Sequence, residues 1–277
     1  MPILFIFLIF IVFIIFTLPI AFSMELATVI SLLTQGNSNA MISILTKMFT
    51  GANATSFLAI PFFILAGALM EQGGISDRIL KFASGLVGHL RGGLALVQVL
   101  VAMLFAAVTG SAVASTTAVG SLMMPTMNKK GYDKGFVAAL QACAGTLGPI
   151  IPPSINMILV AAMTGETVAN LFMAGLLPGI MIGLFLMFVG WRYAKKNNIP
   201  LEPKMERKEV IRAGMSSLLA LMTPIIILGG IFSGIFTATE AGMIACVYSL
   251  IISVFIYKEM DLKKFLTAMK NSVISSA

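Results

Sequence analysis

The sequence predicts an all-α polytopic membrane protein, with about six membrane crossings and one re-entrant helical hairpin. Three observations carry that expectation. Of 277 residues, 58% are hydrophobic and only 10% are charged, whereas soluble domains carry about a quarter charged residues. Most of this chain therefore does not face water. Apolar runs such as Ile3–Ile20 are long and unalternated, which fits helices and not the alternating strands of a barrel. The basic residues are gathered into a few loops between those runs, as the positive-inside rule expects of a multi-pass protein.

The first residues, Met1-Pro-Ile-Leu-Phe-Ile, lack the basic stretch and small-residue cleavage site of a signal peptide. They read as a retained first span, roughly 3–22. Further spans are expected at roughly 56–72, 136–163, 171–192, 214–236 and 240–257. Arg192, Lys195, Lys196, Lys204, Arg207, Lys208 and Arg212 crowd one loop, and Lys258, Lys263, Lys264 and Lys270 crowd the tail. These loops are expected on the cytoplasmic side, with the poorly charged loops at 34–54 and 164–169 outside and the N-terminus cytoplasmic. Arg78–His89 is expected to form an amphipathic helix on the cytoplasmic surface.

Sidedness closes only if the segment 92–128 starts and ends on the same face. About 37 residues separate Arg91 from Lys129, and two full crossings need about 40 plus a turn. The middle of the segment, residues 109–117, is small and polar. A re-entrant hairpin follows, Gly93–Val108 inward and roughly Ser115–Met127 back, because turns at that depth survive only inside protein or beside a cavity. The next span is broken. Pro149, Pro152 and Pro153 interrupt a helix that ends near Leu147. Ser154 is placed to cap the helix that resumes at Ile155.

A re-entrant tip beside an unwound span is the arrangement by which secondary transporters hold ions and substrate. Unwinding frees carbonyls from their i+4 donors, and a hard cation takes several oxygen ligands. Half-helix N-termini, expected at Ser115 and Ser154, favour an anion.

The residues that carry a family resemblance are Gly110-Ser-Ala-Val-Ala-Ser-Thr-Thr-Ala-Val-Gly-Ser121, Met124-Pro125, Gly131-Tyr-Asp-Lys-Gly135, Ala144-Gly-Thr-Leu-Gly-Pro-Ile-Ile-Pro-Pro-Ser154 and Gly175-Leu-Leu-Pro-Gly179. Ala59–Gly67 and Gly234–Ala241 add to them. Together they resemble the large membrane subunit of the tripartite ATP-independent periplasmic (TRAP) transporters over nearly the whole chain. The resemblance implies the N-terminal part of an inverted-repeat, elevator-type ion transporter in the bacterial inner membrane. It implies sodium-driven import of organic acids, of the C4-dicarboxylate or sialic acid class, delivered by a periplasmic binding protein. A small four-helix membrane subunit is the implied companion. Sodium is the implied coupling ion, with no other cofactor. Carried onto this chain, the first sodium site falls on Thr109 and Ser111 of the tip and on Gly148, Ile151 and Pro153 of the break, mainly through backbone carbonyls. The family's subunit is longer, with a second, inverted hairpin and broken helix. The expected organisation is 1–92 as scaffold-like spans, 93–170 as the ion-binding element and 171–277 as further spans with a basic loop and tail.

Beyond that site, Ser115, Ser154, Asn156, Gln141 and Glu240 are candidates for contacting substrate or gating. Asn156 and Gln141 flank the break, where they contact substrate or cross-link helices. Glu240 is either a gating acid or the closing residue of a Thr237–Glu240 capping box. Enzyme chemistry is not expected. One His, two Cys and no Gly-rich loop ending in Gly-Lys-Ser/Thr leave no triad, metal cluster or ATP site. A net charge of +7 confined to loops is not a nucleic-acid footprint. The alternatives are a stand-alone sodium/dicarboxylate-type carrier and a truncated, non-transporting scaffold.

Overall fold

The computed structural model describes residues 2–34, 42, 44, 46, 48–51, 53 and 55–276. It falls into two compact units, 1–54 and 55–277. All regular structure among the described residues is helical, as the apolar runs required.

In the first unit, helix α1 (Pro2–Ile15) packs against α2 (Ile20–Thr34). The single span expected over 3–22 is therefore two helices. Pro19 has no N–H to continue the ladder, and Thr17 turns the chain at a left-handed φ of 61°. Ser23 Oγ then donates to the Pro19 carbonyl at 3.1 Å, holding the corner. The loop expected at 34–54 lies largely outside the described residues.

The second unit begins with a short 3-10 turn and α3 (Ala59–Gln72). A 71° bend at Gly73–Gly74 leads into α4 (Ile75–Val87). α4 is the amphipathic helix that the sequence predicts, with Ile75, Ile79 and Ala83 buried along one face. The hairpin follows as α5 (Gly93–Thr109) and α6 (Ala112–Lys129). At 17 and 18 residues and 1.5 Å per residue, its arms are about 25–27 Å long, less than the roughly 30 Å of a hydrocarbon core. A turn at Lys130–Asp133 joins it to α7 (Lys134–Gly145). Tyr132, Phe136 and Tyr193 stack there, with the Phe136 and Tyr193 rings 3.5 Å apart. Burial pushes the Tyr132 hydroxyl up to about 12. Lys130 pairs with Glu202 at 2.9 Å, fastening the same turn.

The non-helical break 146–154 separates α7 from α8 (Ile155–Thr164). The remaining helices are α9 (Val168–Lys196), α10 (Arg207–Phe232), α11 (Ala238–Ile251, continued as a π-helical turn to Ile256) and α12 (Leu262–Ser276). Among the described residues, three helices are long and apolar enough to cross a membrane alone: α9, α10 and α11 with its π turn. Counting the bent α3–α4 pair makes four. The other two expected crossings fall on shorter helices: 3–22 is divided between α1 and α2, and 136–163 is α7 and α8 around the break that the sequence predicts. The tail is also more than a charged end. α12 buries Ala268 and Ser272 and packs on α3.

Candidate functional site

The hairpin turns more tightly than the sequence predicts. Only Gly110 and Ser111 lie between the arms. Gly110 adopts φ 61°, the left-handed region, and its N–H donates to the Ala106 carbonyl at 2.8 Å to close α5. Ser111, not Ser115, is the N-cap of α6, its Oγ accepting from Ala114 N–H. Ser115 sits one turn inside the helix, fully buried, with its Oγ 3.5 Å from the Ala102 carbonyl across the hairpin. The expected half-helix N-terminus at Ser115 is corrected to Ser111, because a positive-φ glycine sets the turn four residues earlier.

Tip and break meet through their backbones. A Cβ on Gly110 would stand 2.7 Å from the Pro153 carbonyl oxygen. A Cβ on Gly148 would stand 2.5 Å from the carbonyl carbon of Ser111 and 2.7 Å from its oxygen. Only glycine at both positions allows the approach. Ser154 caps α8 as predicted, accepting from Met157 N–H, and its hydroxyl donates to the Pro149 carbonyl at 2.8 Å. Within 146–153, the carbonyls of Leu147 and Pro149 are taken by local donors. Among the described residues, no donor reaches the carbonyls of Gly148, Ile150, Ile151, Pro152 or Pro153, nor those of Thr109 and Gly110 at the tip. Undonated carbonyls in an apolar setting carry a free-energy cost unless something binds them.

Of the residues expected to hold sodium, this contact brings together Ser111, Gly148 and Pro153. Gly148 abuts Ser111, and Pro153 abuts Gly110. The Ser111 carbonyl also accepts from Ser115 N–H at 3.1 Å, which leaves it one free lone pair. Thr109 is buried, its hydroxyl donating to Phe105 O at 3.0 Å, so its backbone carbonyl is the free oxygen. Ile151 buries its side chain beside Ala106 and Leu147 and offers its carbonyl alone.

A cavity of about 540 Å³ opens at the tip. Its walls are residues 109–114 of the hairpin, Ile155 and Asn156 of α8, Ile64, Gly67, Ala68, Glu71 and Gln72 of α3, and Ala268, Asn271, Ser272 and Ser275 of α12. Asn156 is exposed and lines it. Gln141 is not: it is 2% exposed and bonded inside the hairpin. Glu240 does not line the cavity either. It completes a capping box, accepting from Thr237 N–H at 2.8 Å while its own N–H donates to Thr237 Oγ1.

Glu71, Gln72 and Asn271 are cavity residues that the sequence reading missed. The signal for Glu71 was present, an acid closing an otherwise apolar run. For Asn271 there was none, because nothing in a polar tail says that it folds back on α3.

The family model for the tripartite ATP-independent periplasmic transporter, DctM component, matches residues 7–277. The chain is 41% identical over 261 residues to the C4-dicarboxylate TRAP transporter large permease protein DctM of Vibrio cholerae, covering 94% of this chain and 57% of that protein. It is 45% identical over 213 residues to the 2,3-diketo-L-gulonate TRAP transporter large permease protein YiaN of Escherichia coli, covering 77% and 50%. It is 38% identical over 245 residues to the sialic acid TRAP transporter permease protein SiaT of Haemophilus influenzae, covering 88% and 40%. The chain thus spans about half the length of these curated relatives. With the motifs in order and the family model matched almost end to end, the chain belongs to the DctM component family of the TRAP transporters.

Proposed function

We propose that this chain forms part of the membrane permease of a sodium-coupled secondary transporter, of elevator type, that imports organic acids handed over by a periplasmic binding protein. The observation that carries the reading is the apposition of the hairpin tip and the break. Backbone carbonyls on both sides of that contact, of Thr109 and Gly110 at the tip and of Gly148, Pro152 and Pro153 in the break, lack donors. Sodium is the natural ligand of such a cluster, since backbone oxygens bind a hard monovalent cation without needing a charged side chain.

The anion side of the reading rests on the two helix starts beside those carbonyls. α6 begins at Ser111 and α8 at Ser154, so N–H groups and the positive ends of two helices flank the cavity. Asn156, on the first turn of α8, supplies a neutral amide to a carboxylate. The three relatives are named for C4-dicarboxylate, 2,3-diketo-L-gulonate and sialic acid, all organic acids, which supports the substrate class. The reading includes a small four-helix membrane subunit as companion, residence in the bacterial inner membrane and a cytoplasmic N-terminus.

Uptake tests it. Proteoliposomes holding the assembled permease, supplied with binding protein and a labelled C4-dicarboxylate or sialic acid, should accumulate substrate under an inward sodium gradient. Equal uptake with choline or potassium in place of sodium would overturn sodium coupling.

A further inference from the structure

Gln98 sits in the middle of an apolar arm, fully buried, and takes no part in the cavity. Its Nε2 donates to Gln141 Oε1 at 2.9 Å and lies 3.5 Å from the Val137 carbonyl. Gln141 in turn spends both amide hydrogens on α6, one turn inside its start, reaching the carbonyls of Ser115 at 3.3 Å and Thr116 at 3.4 Å. Gly120 makes room for this side chain, since a Cβ there would stand 3.3 Å from Gln141 Cγ. Two amides thus join three elements: the inward arm α5, the returning arm α6 and the first half of the broken helix, α7.

Gln98 Oε1, meanwhile, has no partner. An unpaired amide oxygen in a dry interior is destabilising. A methionine of the same length would escape that penalty. The amide is accounted for by the donor it supplies to Gln141. The fastened carbonyls lie one turn past Ser111, whose backbone faces Gly148, three residues beyond the end of α7.

We propose that Gln98 and Gln141 are positioning residues for the ion site, an amide relay that sets the spacing between the tip carbonyls and those of the break. The proposal rests on the sodium reading above. The relay touches neither ion nor substrate. It acts by holding α6 and α7 in one register, so that oxygens from both sides reach one cation together.

The experiment is a sodium titration of uptake in the assembled, reconstituted permease, with Gln98→Met, Gln141→Met and the double variant. Each single change should raise the half-saturating sodium concentration about three- to tenfold, the range spanned by one lost hydrogen bond. The double variant should be no worse than the more severe single one, because both break the same relay. Half-saturation does not depend on how much protein folds, so a merely structural role would lower the yield and leave it unmoved. Should Gln98→Met fail to assemble, Gln98→Asn keeps an amide but withdraws it by one methylene and should show the same rise. Wild-type uptake with no sodium dependence would overturn the proposed function. Wild-type sodium dependence that these variants leave unchanged, or effects that simply add, would overturn the relay alone.

Discussion

Two breaks in helical structure lie side by side in this molecule, and they are closed in opposite ways. At the elbow between α3 and α4, side chains do the holding. Arg78 pairs with Glu259 at 2.7 Å, donates to the Gly74 carbonyl at 2.8 Å and lies 3.9 Å from the centre of the Tyr257 ring. Ser253, in the π-helical turn, reaches the Leu69 carbonyl at 3.5 Å. At the tip and break, small residues bring backbone against backbone, and no charged side chain intervenes. The elbow uses its polar groups within the chain. The tip and break leave theirs available. On the proposed function, that difference separates a joint from a binding site. A bend alone signals neither. What marks the site is a group of carbonyls that the fold has freed and not re-used.

The largest expected effect strikes the backbone contact. Gly148→Ala would drive a methyl group into Ser111, and Gly110→Ala would force alanine into a left-handed conformation against Pro153. Overpacking of this kind costs about 1–3 kcal/mol, so half-saturating sodium should rise roughly ten- to hundredfold. Sodium titration of uptake checks it. Unchanged affinity in both variants would mean that the close approach is packing and not a site.

Ser111 sharpens the same point with two substitutions at one position. Ser111→Pro changes a φ of −124° to about −65° and reshapes the tip. Sodium dependence should be lost. Ser111→Ala removes only the side-chain cap on Ala114 N–H, with a stability loss of about 1 kcal/mol and little change in sodium affinity. A severe Ser111→Ala would show that the hydroxyl, not the backbone, binds the ion.

The contrast also explains what the sequence revealed. The turn and the break were legible because they are written in residues with strong backbone meaning: a small, polar stretch at 109–117, three prolines and the capping Ser154, while the cap at Ser111 was misplaced to Ser115. Their partners were not. Which face of an apolar helix such as α3 looks into a cavity is decided by packing, so Gly67 carried no positional mark, and Glu71 was marked only as an acid at the end of an apolar run. Gln98 was overlooked for the same reason. One amide in a hydrophobic run says that a partner exists, but not where. The first span shows the converse failure, since Pro19 was visible and the apolar run outweighed it.

At the elbow the expected effect is on stability and not on sodium. Arg78→Ala removes a partly exposed ion pair and a ring contact, worth about 1 kcal/mol together. The melting temperature of the purified permease should fall by a few degrees while half-saturating sodium stays put. Exchanging the charges, Arg78→Glu with Glu259→Arg, should recover the ion pair but not the Tyr257 contact, and so restore stability in part. A shift in sodium affinity as large as that of Gly148→Ala would erase the distinction between joint and site.

The smallest expected effect falls on Glu240, which the sequence left between two roles. In the capping box its carboxylate accepts from the N–H and the hydroxyl of Thr237, at 2.8 Å each. A side chain engaged this way at a helix start is satisfied where it stands and has no reach toward the cavity. Glu240→Gln keeps an oxygen for the Thr237 N–H but gives up the negative charge at the positive end of α11. Thr237→Ala gives up the other half of the box. Both variants should lower the melting temperature slightly and by similar amounts, and neither should alter the sodium or pH dependence of uptake. If Glu240→Gln abolishes uptake while Thr237→Ala leaves it intact, the carboxylate has a second use that the cap does not explain. The gating reading of Glu240 would then stand beside the structural one.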